Sequence, residues 1–231
     1  MLFKDVIGQH AVKQHLTEMV EQNRLSHALL FLGKEGSGAL PLALAFAQFV
    51  VCQPGAAPVV EDLFGGMSAL SSGPKFIHPD NLEEVDSYQK ANQLVHPDLH
   101  FSFPVITKKA GEKPTSSDYI TEWREFVKQF PYGNVYDWLQ MIGAENKQGN
   151  ITAEECNDIM RKLSLKSFEA GHKILLLWMP EYLGKEGNKL LKLIEEPPAN
   201  TLFILVAENE ENILLNYIFI ELTYSSCVVI K

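Results

Sequence analysis

Three short stretches of this chain are apolar without interruption: Ala28-Leu29-Leu30-Phe31-Leu32, Ile174-Leu175-Leu176-Leu177-Trp178 after Lys173, and Leu202-Phe203-Ile204-Leu205-Val206. A run of about five apolar residues bounded by turn formers reads as a strand covered on both faces, the usual state of a strand in a parallel sheet. Helical patterns lie between these runs. Gln9 to Arg24 carries Val12, Leu16, Met19 and Val20 at helical spacing. Ala39 to Val51 is apolar almost all round, and Pro41 fits only in the first turn of that helix, where its missing N–H and fixed φ cost little. Asn188 to Glu196 is a helix stopped by Pro197-Pro198. Strands alternating with helices predict an α/β fold, a three-layer sandwich around a parallel sheet.

The remaining segments are less regular. Residues 52–95 are punctuated by Gln53-Pro54-Gly55, Gly65-Gly66, Ser71-Ser72-Gly73-Pro74 and His78-Pro79-Asp80, which predicts an irregular insertion with one helix near Leu82–Leu94. Leu99 to Val105 alternates as a strand does. Residues 107–117 read as a solvated loop, Glu122 to Phe130 as a helix, and 131–150 as loop with a short helix around Trp138. Thr152-Ala153-Glu154-Glu155 is a capping box with Ile151 as its staple. Behind it, Cys156, Ile159, Met160 and Leu163 share one helix face.

Charge and cysteine usage narrow the function. The net charge of −9 argues against a freestanding nucleic-acid binder, which carries a basic surface, but not against a subunit that touches DNA inside a larger basic assembly. Cys52, Cys156 and Cys227 are few and far apart, with no CxxC pair, so neither a disulfide framework nor a zinc ribbon is expected. The first residues lack a signal-peptide core and no stretch is long and apolar enough for a membrane span, so the expectation is a soluble cytoplasmic protein with no membrane partner.

Gly33-Lys34-Glu35-Gly36-Ser37-Gly38 follows the first strand and precedes the apolar helix. That is the setting of a phosphate-binding loop, G-x-x-x-x-G-K-[ST], whose backbone N–H groups, lysine and hydroxyl hold a nucleotide and its magnesium. Here Ala39 stands at the lysine position and Leu40 at the hydroxyl position, and Pro41 removes a further N–H. Hydrolysis needs that charge and metal clamp, so a loop built on Gly33, Gly36, Gly38, Ala39 and Leu40 is a degenerate site. The other reading is a glycine turn with no nucleotide history. The aspartate expected after the partner strand falls at or near Met179, which does not hold magnesium, and Glu181 lies past a proline and misdirected. Two independent losses point to no catalytic residue, no metal and no cofactor.

Other chemistry-bearing groups have plainer readings. His96, Asp98 and His100 fit a His-Pro-Asp turn before a strand better than a metal trio. Cys156 fits a buried inert thiol, and Trp178 a packing residue at the sheet end rather than a base-stacking platform. Arg161, Lys162 and Lys166 lie on the polar face of their helix, either simply solvated or in contact with a DNA backbone.

Phe3-Lys4-Asp5-Val6-Ile7-Gly8-Gln9, Asn23 to Phe31 followed by Gly33, His96-Pro97-Asp98, and Asn188 to Pro198 followed by Thr201 to Leu205 together resemble the clamp-loader AAA+ family of bacterial DNA polymerase III, over 1–51, 91–105 and about 151–213. Within it the missing loop lysine resembles the delta-prime branch, a nucleotide-inactive stator, and not the gamma/tau branch, which keeps that lysine. The resemblance implies a P-loop NTPase-like AAA+ domain over 1–231 and a non-catalytic clamp-loader subunit. Its partners are the gamma/tau and delta subunits and, indirectly, the sliding clamp and primer-template DNA. Three departures bear on this. The family's zinc module has no counterpart in 53–95, so no zinc is expected. The Ser-Arg-Cys-type motif is replaced by Leu215 to Leu222, with Glu221 near the place of its arginine. The family's lid and collar do not follow, which is the pattern of a truncated or frame-shifted C-terminus whose last strand, Tyr224–Ile230, either completes the sheet or dangles. The competing expectations are a nucleotide-binding AAA+ ATPase with an unconventional loop and a truncated product unable to assemble.

Overall fold

A computed structural model describes residues 1–55, 75–109, 111–144, 147–209 and 227–230. Its centre is a five-stranded sheet, β1 (Ala28–Leu32), β2 (Leu99–Ser102), β3 (Lys173–Trp178), β4 (Thr201–Ala207) and β5 (Cys227–Val229), in the spatial order β2-β3-β4-β1-β5. Every pairing is parallel. The helices are α1 (His10–Glu21), α2 (Ala39–Val51), α3 (Asp86–Asn92), α4 (Ile120–Gln129), α5 (Val135–Met141), α6 (Ala153–Ser164) and α7 (Gly187–Glu195).

Alternation along each strand sorts the sheet into two apolar faces. Ile174, Leu176 and Trp178 of β3 join Leu29, Phe31, Leu202, Ile204 and Val206 in the larger core, which holds α2. Leu175 and Leu177 join Ala28, Leu30, Phe203 and Leu205 in a second core closed by Cys156, Ile159 and Leu163 of α6 and by Leu190 and Ile194 of α7. A strand whose two faces are both covered has no polar face, which is why the sequence runs are continuous. All of α2 is buried. Trp178 packs as expected at the sheet end, its ring 5.2 Å from Trp123 and 5.7 Å from Phe126.

Several expectations need correction. β2 ends at Ser102, short of Val105. Pro104 has no N–H for a ladder, Phe103 gives its N–H to Ser116 Oγ at 3.0 Å, and Val105 forms only an isolated antiparallel bridge to Asn150. The helix expected near 82–94 is a 3-10 turn (Pro79–Glu84) followed by α3. The capping box of α6 is half made. Thr152 Oγ1 accepts the Glu155 N–H at 3.1 Å, but the Glu155 carboxylate accepts the N–H of Ser116 at 2.6 Å. A buried backbone donor from another segment thus outcompetes the local cap. Of the expected last strand, Cys227–Val229 pairs beside β1. The substituted 215–222 stretch and residues 56–74 of the expected 53–95 insertion lie outside the described residues.

Candidate functional site

The glycine-rich turn runs from β1 to the first turn of α2. Gly33 N–H donates to the Ala207 carbonyl at 3.1 Å, which ties the loop to the end of β4. Gly36 (φ +73) and Gly38 (φ +91) take the left-handed backbone that side chains disfavour, so the turn needs glycine at both. Ala39 and Leu40, at the lysine and hydroxyl positions, are buried and belong to the larger core. They pack in the core and also line the small cavity at the loop, where they offer only apolar groups.

The mouth of the loop is covered by a turn at residues 131–134 that the sequence did not single out. A Cβ on Gly38 meets the Tyr132 ring at 3.2 Å. The Tyr132 hydroxyl accepts the Ile7 N–H at 2.8 Å, and Asn134 Nδ2 donates to the Glu35 carboxylate. Tyr132 therefore links the N-terminal segment, the loop and its cover. The cavity left between Gly33, Gly38, Tyr132, Trp178 and Glu208 is about 20 Å³. The enclosed space is room for about one water molecule. Nothing in the spacing around Tyr132 announces this role, because it acts across almost one hundred residues of chain.

The other half of the site is equally altered. Met179 follows β3 in a left-handed conformation (φ +57), is buried, and donates its N–H to the Val206 carbonyl at 2.8 Å. Glu181 Oε1 accepts N–H groups from Glu208 at 2.7 Å and Asn209 at 3.0 Å, so this carboxylate pins the end of β4. Burial pushes the Glu181 carboxyl above its ordinary range despite those bonds. Glu208 is pushed up by its own burial and then by the charges of Glu181 and Glu35. Glu208 lines the cavity beside Lys34, with the Glu181 and Glu35 charges close enough to act on it, so the loop's surroundings are not the net cationic setting that draws a polyphosphate.

The remaining candidates separate. Arg161 and Lys162 both pair with Asp158, Lys162 at 2.6 Å, and Lys162 also donates to Ser117 Oγ at 2.8 Å. Burial raises Asp158, but the bonds from Lys162 and Arg161 outweigh it and hold this carboxyl below its ordinary value. Lys166 lies beyond the C-terminus of α6, so the three do not form one basic helix face. In the His-Pro-Asp turn, His96 Nδ1 accepts the Asp98 N–H at 3.2 Å. The Asp98 carboxylate accepts three N–H groups, from Phe168 at 2.6 Å and from Glu169 and Ala170 at 2.8 Å. This turn is a structural clasp. Among the described residues no group of three or more His, Cys, Asp or Glu is placed to hold a metal ion. Cys52 and Cys156 are buried. Among the same residues no helix is long and apolar enough to cross a membrane.

The chain is 24% identical over 207 residues to the DNA polymerase III subunit delta' of Bacillus subtilis, a match covering 89% of this chain and 44% of that protein. It therefore spans less than half the length of that relative. A crystal structure of a DNA polymerase III, gamma subunit-related protein from Thermotoga maritima aligns with 95% of this chain and 45% of its own, at 12% identity and a TM-score of 0.43. The family described as DNA polymerase III, delta subunit, matches residues 8–60 and 78–218, a span that takes in β1 through β4 and the closed loop. The chain belongs to that family.

Proposed function

We infer that the chain acts as a non-catalytic, stator-like subunit of the DNA polymerase III clamp loader, bracing the ATPase subunits that open and load the sliding clamp. The observation that carries this is the closure of the phosphate loop. Ala39 and Leu40 are part of the core, Tyr132 sits on Gly38, and the space left holds about one water. A relative that keeps the fold while closing the nucleotide site retains a surface for neighbours without the chemistry. On this reading residues 1–231 form one AAA+ domain that needs no cofactor. Its direct partners are gamma/tau and delta subunits, it meets clamp and primer-template DNA through them, and it works in the cytoplasm.

Two measurements test this. Calorimetry with Mg-ATP is expected to show no binding, and a micromolar Kd or measurable turnover promotes the reading of an ATPase with an unconventional loop. Co-purification with gamma/tau and delta subunits is expected to retain the chain. Its absence from the assembly, for a chain that is folded by circular dichroism, overturns the stator reading.

A further inference from the structure

Strand β2 is an outer strand of the sheet and, among the described residues, pairs on one side only. Its ladder to β3 begins with the Ile174 N–H donated to the Asp98 carbonyl at 2.8 Å, and the register pairs Leu99 with Ile174 and Phe101 with Leu176. In a parallel ladder only alternate residues of a strand face a given neighbour. The groups of Asp98, His100 and Ser102 therefore face β3, and the N–H and C=O of Phe101 face outward. Phe103, two residues on, has both its backbone groups bonded to Ser116 Oγ. Among the described residues Phe101 has no such partner.

The outward side of Phe101 opens into a cavity of about 160 Å³. Leu94, Phe101 and Ile120 give it an apolar floor, and Arg124, Lys162 and His100 a polar wall. A cavity near 150 Å³ takes a group about the size of benzene, hence one apolar side chain. Arg124 on α4 is fixed by its Nε donating to the Leu94 carbonyl at 3.1 Å, which leaves the two terminal nitrogens of the fork for an acceptor. Val95 and Phe168, both exposed, continue the apolar surface on either side of the clasp made by Asp98.

We propose that this edge docks an extended acidic peptide segment of a partner protein, which adds one short strand to β2, places an apolar side chain in the cavity and sets a carboxylate on Arg124. Three features select that occupant. An orphan N–H beside an orphan C=O calls for a peptide group, since a phosphate has no donor for the carbonyl. The cavity volume fits one side chain. The Arg124 guanidinium, with its terminal nitrogens unengaged among the described residues, favours an anion at this place on a protein whose net charge is −9. The proposal is independent of the clamp-loader reading, because it uses the sheet edge opposite β5 and none of the loop residues.

The test uses the 231-residue chain and three labelled heptapeptides: Gly-Ser-Glu-Asp-Leu-Glu-Asp, its Gln/Asn isostere, and its Leu-to-Gly form. Fluorescence anisotropy is expected to give the acidic peptide at least tenfold tighter binding than either control, and amide NMR to place shifts on Leu99–Ser102 and the Arg124 side chain. Arg124→Gln is expected to weaken binding about tenfold. Ser117→Glu, at an exposed position on the rim that leaves the core untouched, is expected to do the same by repulsion. Equal binding of the isostere, or shifts that spare β2, overturns the proposal. So does an oligothymidylate that shifts the same amides and displaces the peptide, which assigns the edge to nucleic acid instead.

Discussion

Replacing Asp98 by alanine is the sharpest single test of how the sheet is held to the segment before β3. One carboxylate accepts three backbone N–H groups, from Phe168, Glu169 and Ala170, at 2.6–2.8 Å. A hydrogen bond to a charged acceptor contributes about 1.5–3 kcal/mol net. The three share one acceptor, and in the variant Phe168 and Glu169, both exposed, exchange it for water. The Ala170 N–H, buried, is left unsatisfied and carries about 1–3 kcal/mol by itself. Asp98→Ala is therefore expected to lose about 3–5 kcal/mol. In a chain of this size each kcal/mol lowers Tm by about 2–4 °C, so thermal unfolding should shift down by roughly 10 °C. Asp98→Asn, which keeps one acceptor oxygen but turns a donor toward a donor, should fall between. A fall of less than about 2 °C for the alanine variant refutes the clasp.

Glu155→Gln is expected to stabilise the protein at neutral pH. Burial raises the Glu155 carboxyl above its ordinary 4.5, beyond what the Ser116 bonds recover, so the folded state disfavours the ionised form. The penalty is absent below the unfolded pKa and grows as pH rises through it toward the raised folded value. The Tm advantage of the variant should thus grow as pH rises above the ordinary 4.5, and a difference that stays constant from below that value to neutral pH counts against the reasoning. Trp138→Phe should lose about 1–3 kcal/mol more than Trp123→Phe in urea unfolding. Trp138 Nε1 donates to the Pro104 carbonyl at 2.7 Å, whereas the buried Trp123 Nε1 has no partner among the described residues. Ala39→Lys with Leu40→Thr should lower Tm by several degrees, without a shift on adding Mg-ATP. The lysine enters the core and Tyr132 still covers the loop.

The parts of the fold written in local pattern were legible. β1, β3, β4 and α2 lie where the apolar runs put them, because burial on both sheet faces leaves its mark residue by residue. The glycine loop was legible for the same kind of reason, since Gly36 and Gly38 are demanded by their own backbone angles. What failed was decided by distant competitors. The Glu155 carboxylate left its local cap for Ser116, and Ser116 Oγ took the backbone of Phe103 and so ended β2 early. Lys166 fell off the helix because α6 stops at Ser164, where the buried Lys173 ammonium holds the Leu163 and Leu165 carbonyls. The cover of the loop depends on Tyr132 meeting Gly38 and Ile7, a tertiary meeting that no spacing encodes.

The order of strands in the sheet also governs how the chain folds as it is made. β1 is the first strand to leave the ribosome, yet its two neighbours are β4, beginning at Thr201, and β5, beginning at Cys227. At roughly 5–20 residues per second, about 10–30 s pass before β1 meets either one. Over that interval α2, buried along its whole length in the finished sheet, can pack on α1, α3 and β3 but lacks the cover of β4. The apolar face of α2 that meets β4 is thus uncovered until late, and the sheet closes from the C-terminal side. Chains arrested on the ribosome before residue 200 should be cleaved by protease within 39–51, and chains carried through residue 231 should be protected there. Protection in the shorter chains refutes this order.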